Sequence, residues 1–526
     1  MKSNGNALKL RARKVKPAWL LPVVVGAALR LALLFCHGGI ETDGVQYATN
    51  AKLLMAGKPP ATVPYRPLYP LLTGLASKAV GDVELAGRLV SWAAGTASVY
   101  LAYALTAELY VAPAPAYVAW LLALAPVVTW VSGEVMTTSL FLALMLWCVL
   151  ALSVSLRLPS VKSHLRLAAL LVAGALTRPE GFGLLLYSFL VALGAVRVTR
   201  LRFRQLLSGA ACTALVVLVV FLPYRAFVDR GSGTAASSVA SRTGLTSLVR
   251  IPVGTKRFEP QVERETYGLH KTASPEHSLR PAQPAFWKKW TRAYASALEY
   301  AYTQSLPINV PPWVLMLAGV GAFCGQPRFS RRRANVLLGL LTLLLLFSYA
   351  QTSVVPRYFV TFIPLFLVWA GAGIAALGRS GDGDPARIRP PHLAVLVVTI
   401  LTLLPATLKS VVTYPKAPEF RVAGEWLKAH SAPNDKVMCR MSQIAFYADR
   451  EKVPLPYASL GEILAYAQKQ RVAFFVVEHK VVGESRPQMK ALLTHKDAVP
   501  ELEWLHRVAV NPGNLIDIYR LKRTSG

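Results

Sequence analysis

"GGIETDGVQYATNAKLLMAGK", residues 38–58, follows directly on an apolar run. Where the chain leaves that run it presents Glu41 and Asp43, then Tyr47, then a stretch with the rhythm of a short helix. Val45, Ala48, Leu53 and Leu54 give that helix an apolar side. It is therefore expected to lie in a membrane interface and to hold Asp43 near headgroup level. Acids that follow a span are ordinarily solvated loop ends, so a carboxylate pair in this position needs a further reason.

The rest of the chain defines the setting. Of 526 residues, 54% are hydrophobic and 16% charged, the balance of a polytopic membrane protein. A spanning helix needs about 20 mostly apolar residues. Eleven stretches are read as spans, near 18–36, 85–109, 115–131, 136–156, 166–177, 181–196, 205–224, 311–325, 335–352, 358–378 and 392–412. The first has a basic flank but no small-residue cleavage site, and Arg30 interrupts it, so it is not read as a cleavable signal.

The formal net charge is +31. Its placement argues against nucleic-acid binding. "MKSNGNALKLRARKVKP", "RLPSVKSHLR", "RVTRLRFR", "GQPRFSRRR" and "GRSGDGDPARIRPP" together hold twenty Lys and Arg against two Asp. With eleven spans all five segments fall on one side, which the positive-inside rule makes cytoplasmic. The expected topology is a multi-pass protein of the cell (inner) membrane with a cytoplasmic N-terminus. The segment 38–58, the turn at 132–134, "LTRPEG", loop 225–310, "QTSVVPRY" and the tail then face outward. Cys36, Cys148, Cys212 and Cys324 fall in apolar runs and Cys439 stands apart, so neither a metal site nor a disulfide framework is suggested. No two His have ligand spacing; no metal or other cofactor is required, and a divalent ion has no support.

From about 413 the pattern changes. "EFRVAGEWLKAH" reads as an amphipathic helix, "DKVMCRM" and "VAFFVVE" as strands with the helix "SLGEILAYAQKQ" between them. "LEWLHRVAV" and "LIDIYRL", joined by Asn-Pro-Gly-Asn, read as a hairpin. The expected organisation is a transmembrane domain over 1–412, with outer loops 37–84 and 225–310, and an extracytoplasmic α/β domain over 413–526 that folds alone.

The polar residues expected to carry chemistry share the outer side. Asp43 and Glu41 are the catalytic candidates. Arg66 and Tyr65 in "YRPLYP" supply a cation and an aromatic. "LTRPEGFG" places Arg178 and Glu180 between two short spans, either as a salt bridge that orders the turn or as an acceptor or phosphate contact. "VSGEVMTTSLF" brings Glu134, and "VVPRYFVTFIPLF" brings Arg357 and Tyr358, either as interfacial anchors or as a second phosphate site. Tyr47 completes the binding set. A carboxylate that takes a proton from a hydroxyl, beside a guanidinium that binds phosphate, suits a reaction between a phosphate-bearing lipid and an acceptor. Arg30 and Arg88 lie within apolar stretches, where charge is costly. Arg88, close to a helix end, is read as snorkelling. "GAGIAALG" is read as helix packing.

In order and topology, "ETDGVQYATNAKLLMAGK", "YRPLYP", "VSGEVMTTSLF", "LTRPEG" and "VPRYFVTFIPLF" resemble the GT-C superfamily of membrane glycosyltransferases. The resemblance is to the protein O-mannosyltransferase and aminoarabinose-transferase-like group, glycosyltransferase family 39 and its bacterial relatives, and covers about 380 residues. It implies an enzyme that takes a sugar from a polyprenyl-phosphate carrier, on the outer face and with inversion. It further implies that Asp43 is the catalytic acid-base residue, that Arg66 contacts the carrier phosphate and that Arg357 and Tyr358 match a late Arg-Tyr pair. The acceptor it leaves open: protein, lipid or polysaccharide glycan. Two positions depart from the family pattern. Asp43–Gly44 stands where the family has Asp-Glu, so either Glu41 compensates or a second acid is not needed. Thr137–Thr138 stands where it has Thr-Glu, with Glu134 one helical turn earlier. The competing readings are a lipid-linked glycan polymerase or ligase, a polyprenyl-glycan flippase or other transporter, and a membrane scaffold.

Overall fold

The structure, a computed structural model, describes residues 19–36, 38–60, 66–198, 203–231, 310–350, 360–377, 390–413, 417–495 and 497–522, with isolated positions between 291 and 299. Tyr65, Arg357, Tyr358 and loop 225–310 beyond Gly231 lie outside the described residues apart from those positions.

Within the described residues each apolar stretch is helical. The helices are α1 (Leu20–Cys36), α4 (Val83–Leu109), α5 (Ala114–Ala123), α6 (Pro126–Val131), α7 (Thr137–Arg157), α8 (Val161–Thr177), α9 (Gly181–Val198), α10 (Phe203–Gly231), α11 (Pro312–Cys324), α12 (Arg331–Ala350), α13 (Ile363–Leu377) and α14 (Pro390–Thr413). Among the described residues four helices are long and apolar enough to cross a membrane by length and composition: Val83–Leu109, Thr137–Arg157, Leu207–Tyr224 and Val360–Leu377. Shorter apolar helices accompany them. Loop 37–84 is not irregular. It holds the expected α2 (Thr42–Met55) and also α3 (Leu68–Val80), which periodicity had not picked out.

The stretch 115–131 is two helices rather than one continuous helix, because Pro126 lacks the N–H that would continue the ladder. The freed carbonyls need donors. Arg30, fully buried, gives its guanidinium to Leu122 O at 3.1 Å and Ala123 O at 3.3 Å, and also to Gly26 O at 3.0 Å and Ser132 Oγ at 3.3 Å. The charge that interrupts the first span thus repairs a broken helix, as irregular backbone at membrane depth requires. The "GAGIAALG" glycines do pack helices. A Cβ on Gly373 would collide with Leu317 O, and one on Gly321 with Trp369 O, so α11 and α13 meet backbone to backbone. Of the cysteines in apolar runs, Cys148 is buried, Cys212 half-buried and Cys324 exposed.

Residues 417–522 build a five-stranded sheet of order β2-β1-β3-β5-β4 from β1 (Lys436–Cys439), β2 (Glu451–Pro454), β3 (Val472–Glu478), β4 (Leu502–Val508) and β5 (Ile516–Leu521). β2, β1 and β3 are parallel, while β5 and β4 form the antiparallel hairpin expected around Asn-Pro-Gly-Asn. Alternation along "VAFFVVE" sends Phe475 and Val477 to one layer and Phe474 and Val476 to the other. The first layer is covered by α17 (Leu460–Lys469), the second by α15 (Pro418–His430) and α16 (Ser442–Ala448). β2 and α16 escape the sequence pattern because they are four and seven residues long.

Candidate active site

The described connections fall at two ends of the bundle. At one end meet the start of α2, the turn 132–136, the α8–α9 turn, Arg66 and the C-terminal sheet region. Glu41 occupies the position before the first turn of α2 in extended conformation, and Asp43 stands in that turn, where the helix dipole favours a negative charge. The buried side of α2 comprises Val45 and Ala48, as expected, but continues through Ala51; Leu53 and Leu54 are only half-buried. The reason lies at Gly44. A Cβ there would come 2.7 Å from Ile40 Cγ1 and 3.0 Å from Val135 O, so α2 presses on the turn that carries Glu134. A glutamate at 44 would require the Ile40 side chain and the Val135 carbonyl to move aside.

Tyr47 connects α2 to α7. Its hydroxyl lies 3.3 Å from Thr137 Oγ1, and its ring meets Tyr69 edge to face with centroids 5.4 Å apart. Arg178 closes the circuit. It grips Glu180 bidentately, Nη2 to Oε1 at 2.8 Å and Nε to Oε2 at 3.2 Å, and donates Nη1 to Thr137 and Thr138 hydroxyls at 3.4 and 3.3 Å. Thr138, where the resemblance led one to expect an acid, thus accepts from a guanidinium. The Arg178–Glu180 ion pair orders the "LTRPEG" turn. Glu134 is buried in the adjoining turn.

Arg66 stands over the Phe182 ring at 5.1 Å, and its Nε is buried without a hydrogen-bond partner. Burial lowers its pKa, against the opposing pull of Tyr224 and Glu180. Burial would raise the Glu180 carboxyl, but Arg178, with Arg66 beyond it, wins and holds it below its ordinary value. Burial pushes the Tyr47 phenol up to about 12, with Arg178 opposing and Asp43 and Glu180 adding to the rise. The interactions felt by Tyr47 and Arg66 therefore link Asp43, Arg178, Glu180 and Arg66 into one electrostatic neighbourhood. Tyr65, Arg357 and Tyr358 lie outside the described residues. Among the described residues no cluster of His, Cys, Asp or Glu is disposed to hold a metal.

One part of this end is invisible to local sequence patterns. Arg88 does not snorkel. It is buried and paired with Glu84. The same carboxylate takes Arg421 Nη2 at 2.7 Å and the Tyr447 hydroxyl at 3.0 Å, and that hydroxyl accepts from Ile40 N at 2.7 Å. Gln443 Nε2 donates to Thr42 Oγ1 at 3.0 Å. The sheet region is thereby fastened to the residues that flank Asp43. These pairs span some 400 positions of sequence, and no spacing rule reaches that far.

No known family profile matches the chain. Nor does any curated protein sequence. Solved structures do. The aminoarabinose transferase ArnT from Cupriavidus metallidurans, bound to undecaprenyl phosphate, is similar with TM-score 0.58 and 14% identity over 95% of this chain and 97% of that one. The archaeal oligosaccharyltransferase AglB from Archaeoglobus fulgidus, in complex with an inhibitory peptide and a dolichol-phosphate, gives TM-score 0.56 and 12% identity over 95% and 74%. The fold is shared with these two solved membrane proteins over nearly the whole chain. Similarity at this level of identity establishes architecture, and the chemistry has to be argued from the residues.

Proposed function

We propose that the chain is a membrane glycosyltransferase that moves a sugar from a polyprenyl-phosphate donor to a hydroxyl-bearing acceptor at the end where Asp43 lies. The observation that carries this reading is the convergence of a helix-start carboxylate, Asp43, with a half-buried guanidinium, Arg66, whose buried Nε has no hydrogen-bond partner. The fold shared with proteins solved with undecaprenyl phosphate and dolichol-phosphate supports it.

Asp43 accepts the acceptor's proton as its oxygen attacks the anomeric carbon. The bond from that carbon to the phosphate oxygen breaks, and polyprenyl phosphate leaves with the added negative charge. Arg66 binds that phosphate. A single displacement of this kind inverts the anomeric carbon. Arg178 is a positioning residue, since its donors are engaged by Glu180 and the two threonines. Arg357 and Tyr358 are proposed as further donor contacts, Glu41 and Glu134 as acids at the acceptor side. In the proposed topology the chain crosses an inner cell membrane eleven times. Its N-terminus is cytoplasmic, and the α/β domain over 413–526 lies outside, covering the catalytic end.

The transporter reading requires charges along a path through the bilayer. The described buried acids instead gather at the ends, and Arg30, the buried cation between, is occupied by backbone and Ser132. The test is transfer of labelled sugar by the purified protein from a polyprenyl-phosphate donor to glycan, lipid and peptide acceptors. Transfer dependent on the donor phosphate supports the enzyme. Movement of the lipid-linked sugar across vesicle membranes without transfer replaces it with the transporter.

A further inference from the structure

The opposite end of the bundle is built differently. Residues Gln326–Arg328 are pinned to the last turn of α4: Val111 N donates to Gln326 O at 3.3 Å, Arg328 N to Leu109 O at 2.8 Å, and Arg328 Nη1 to Ala107 O at 3.2 Å. Beside this pinned segment a cavity of about 340 Å3 opens, walled by Trp19, Tyr100, Tyr103, Leu150, Glu108 and Arg328. Trp19 and Tyr100 meet edge to face with ring centroids 5.2 Å apart. Next to it three guanidiniums surround one half-exposed ring: Arg157, Arg333 and Arg328 lie 5.6, 5.8 and 6.0 Å from the Phe329 centroid. Arg331 and Arg332, both exposed, follow in sequence. The carboxylate in this corner, Glu108, is already bound to Arg157 at 3.2 Å and to Ser153 at 3.3 Å.

We propose that this corner is a binding site for an anionic phospholipid. Its phosphate sits among Arg328, Arg331 and Arg332, and its glycerol and upper acyl chain lie against Trp19, Tyr100 and Tyr103. Two features of the site select a lipid over a free anion, and its charge selects an anionic lipid. The cavity opens beside helices whose neighbouring surface is apolar: Leu20, Leu21 and Val24 of α1 are exposed. Its walls are the aromatic residues that belong at a headgroup boundary. Basic pockets between membrane helices match anionic headgroups in charge, and guanidinium groups bind phosphate bidentately. Loop topology accounts for arginine on this side of a membrane, but it does not require an aromatic cavity beside the arginines. The site is independent of the catalytic reading.

The test uses the full-length protein, purified in detergent and stripped of lipid, titrated with phosphatidylglycerol or phosphatidylcholine and followed by native mass spectrometry. Phosphatidylglycerol should be retained at least about tenfold more tightly. The triple variant Arg328→Gln/Arg331→Gln/Arg332→Gln should lose that preference. A control of equal charge loss at the same end, Lys162→Gln/Arg166→Gln/Arg204→Gln, should keep it. Trp19→Ala should weaken phosphatidylglycerol without restoring phosphatidylcholine. Equal retention of the two lipids by the unmodified protein overturns the proposal, as does equal loss of preference in the control. Complete displacement of the lipid by millimolar glycerol phosphate also overturns it, because the site would then be a simple anion site.

Discussion

The two ends of the helical bundle manage charge in opposite ways. At the Asp43 end the buried carboxylates are matched with bases, Glu180 with Arg178 and Glu84 with buried Arg88 and half-exposed Arg421, each held by further hydrogen bonds. At the other end one carboxylate, Glu108, meets arginines that remain largely at the surface around Phe329. Matched buried pairs are rigid and costly to break, because removing one partner strands the other charge. An unmatched exposed cluster is cheap to build and ready to take an anion. The first arrangement suits positioned chemistry, the second suits adhesion to a charged membrane surface.

The largest expected effect tests the first half of that contrast. Asp43→Asn removes the base with little change of shape and should lower transfer by about 100- to 10,000-fold while donor binding persists. If Glu41→Gln abolishes transfer and Asp43→Asn does not, the base is two residues earlier and the reaction class stands. Arg66→Ala should weaken donor binding by about ten- to a hundredfold, the worth of one charged hydrogen-bonding contact, as well as slow turnover. An unchanged donor affinity would take the phosphate away from Arg66.

Glu180→Gln breaks the buried pair with Arg178 and should destabilise the protein by about 3 kcal/mol, read as a lower unfolding temperature in detergent. The same pair sets an acid limit. The folded Glu180 carboxyl titrates below its ordinary value of 4.5, so its contribution is present above that pH and is lost as the pH falls further. A melting temperature insensitive to Glu180→Gln would mean that this end is less tightly matched than its geometry indicates.

A smaller effect concerns Glu478, which closes β3, is buried, and accepts from Met441 N at 3.0 Å. Burial pushes its carboxyl up to about 7, against Met441 N, Arg440, Lys452 and Arg486. The folded form therefore holds this proton more tightly. Stability contributed by Glu478 is full below pH 4.5 and falls as the pH rises through about 7, by roughly 3 kcal/mol at most. Residues 413–526 expressed alone should fold cooperatively and melt higher at pH 5.5 than at pH 8. Glu478→Gln should flatten that difference. A random-coil spectrum would show that the region needs the bundle, which the Glu84–Arg421 and Gln443–Thr42 contacts make the specific alternative.

Sequence alone determined what is local. Apolar runs specified the helices, because burial in lipid leaves the backbone no other partner than itself. Alternation in "VAFFVVE" and the Asn-Pro-Gly-Asn turn yielded a strand and the hairpin, since period two and turn chemistry are short-range properties. Asp43, Arg66, Arg178 and Glu180 were legible as polar residues where apolar ones prevail. Only tertiary structure decided how they are used. It engaged Arg178 with Glu180, Thr137 and Thr138, packed Gly44 against Ile40 and Val135, set Arg30 to mend the break before Pro126, and joined Tyr447 to Ile40 and Glu84. Each of these depends on which distant backbone carbonyl, ring or carboxylate comes within about 3 Å, and a one-dimensional pattern carries no such distances.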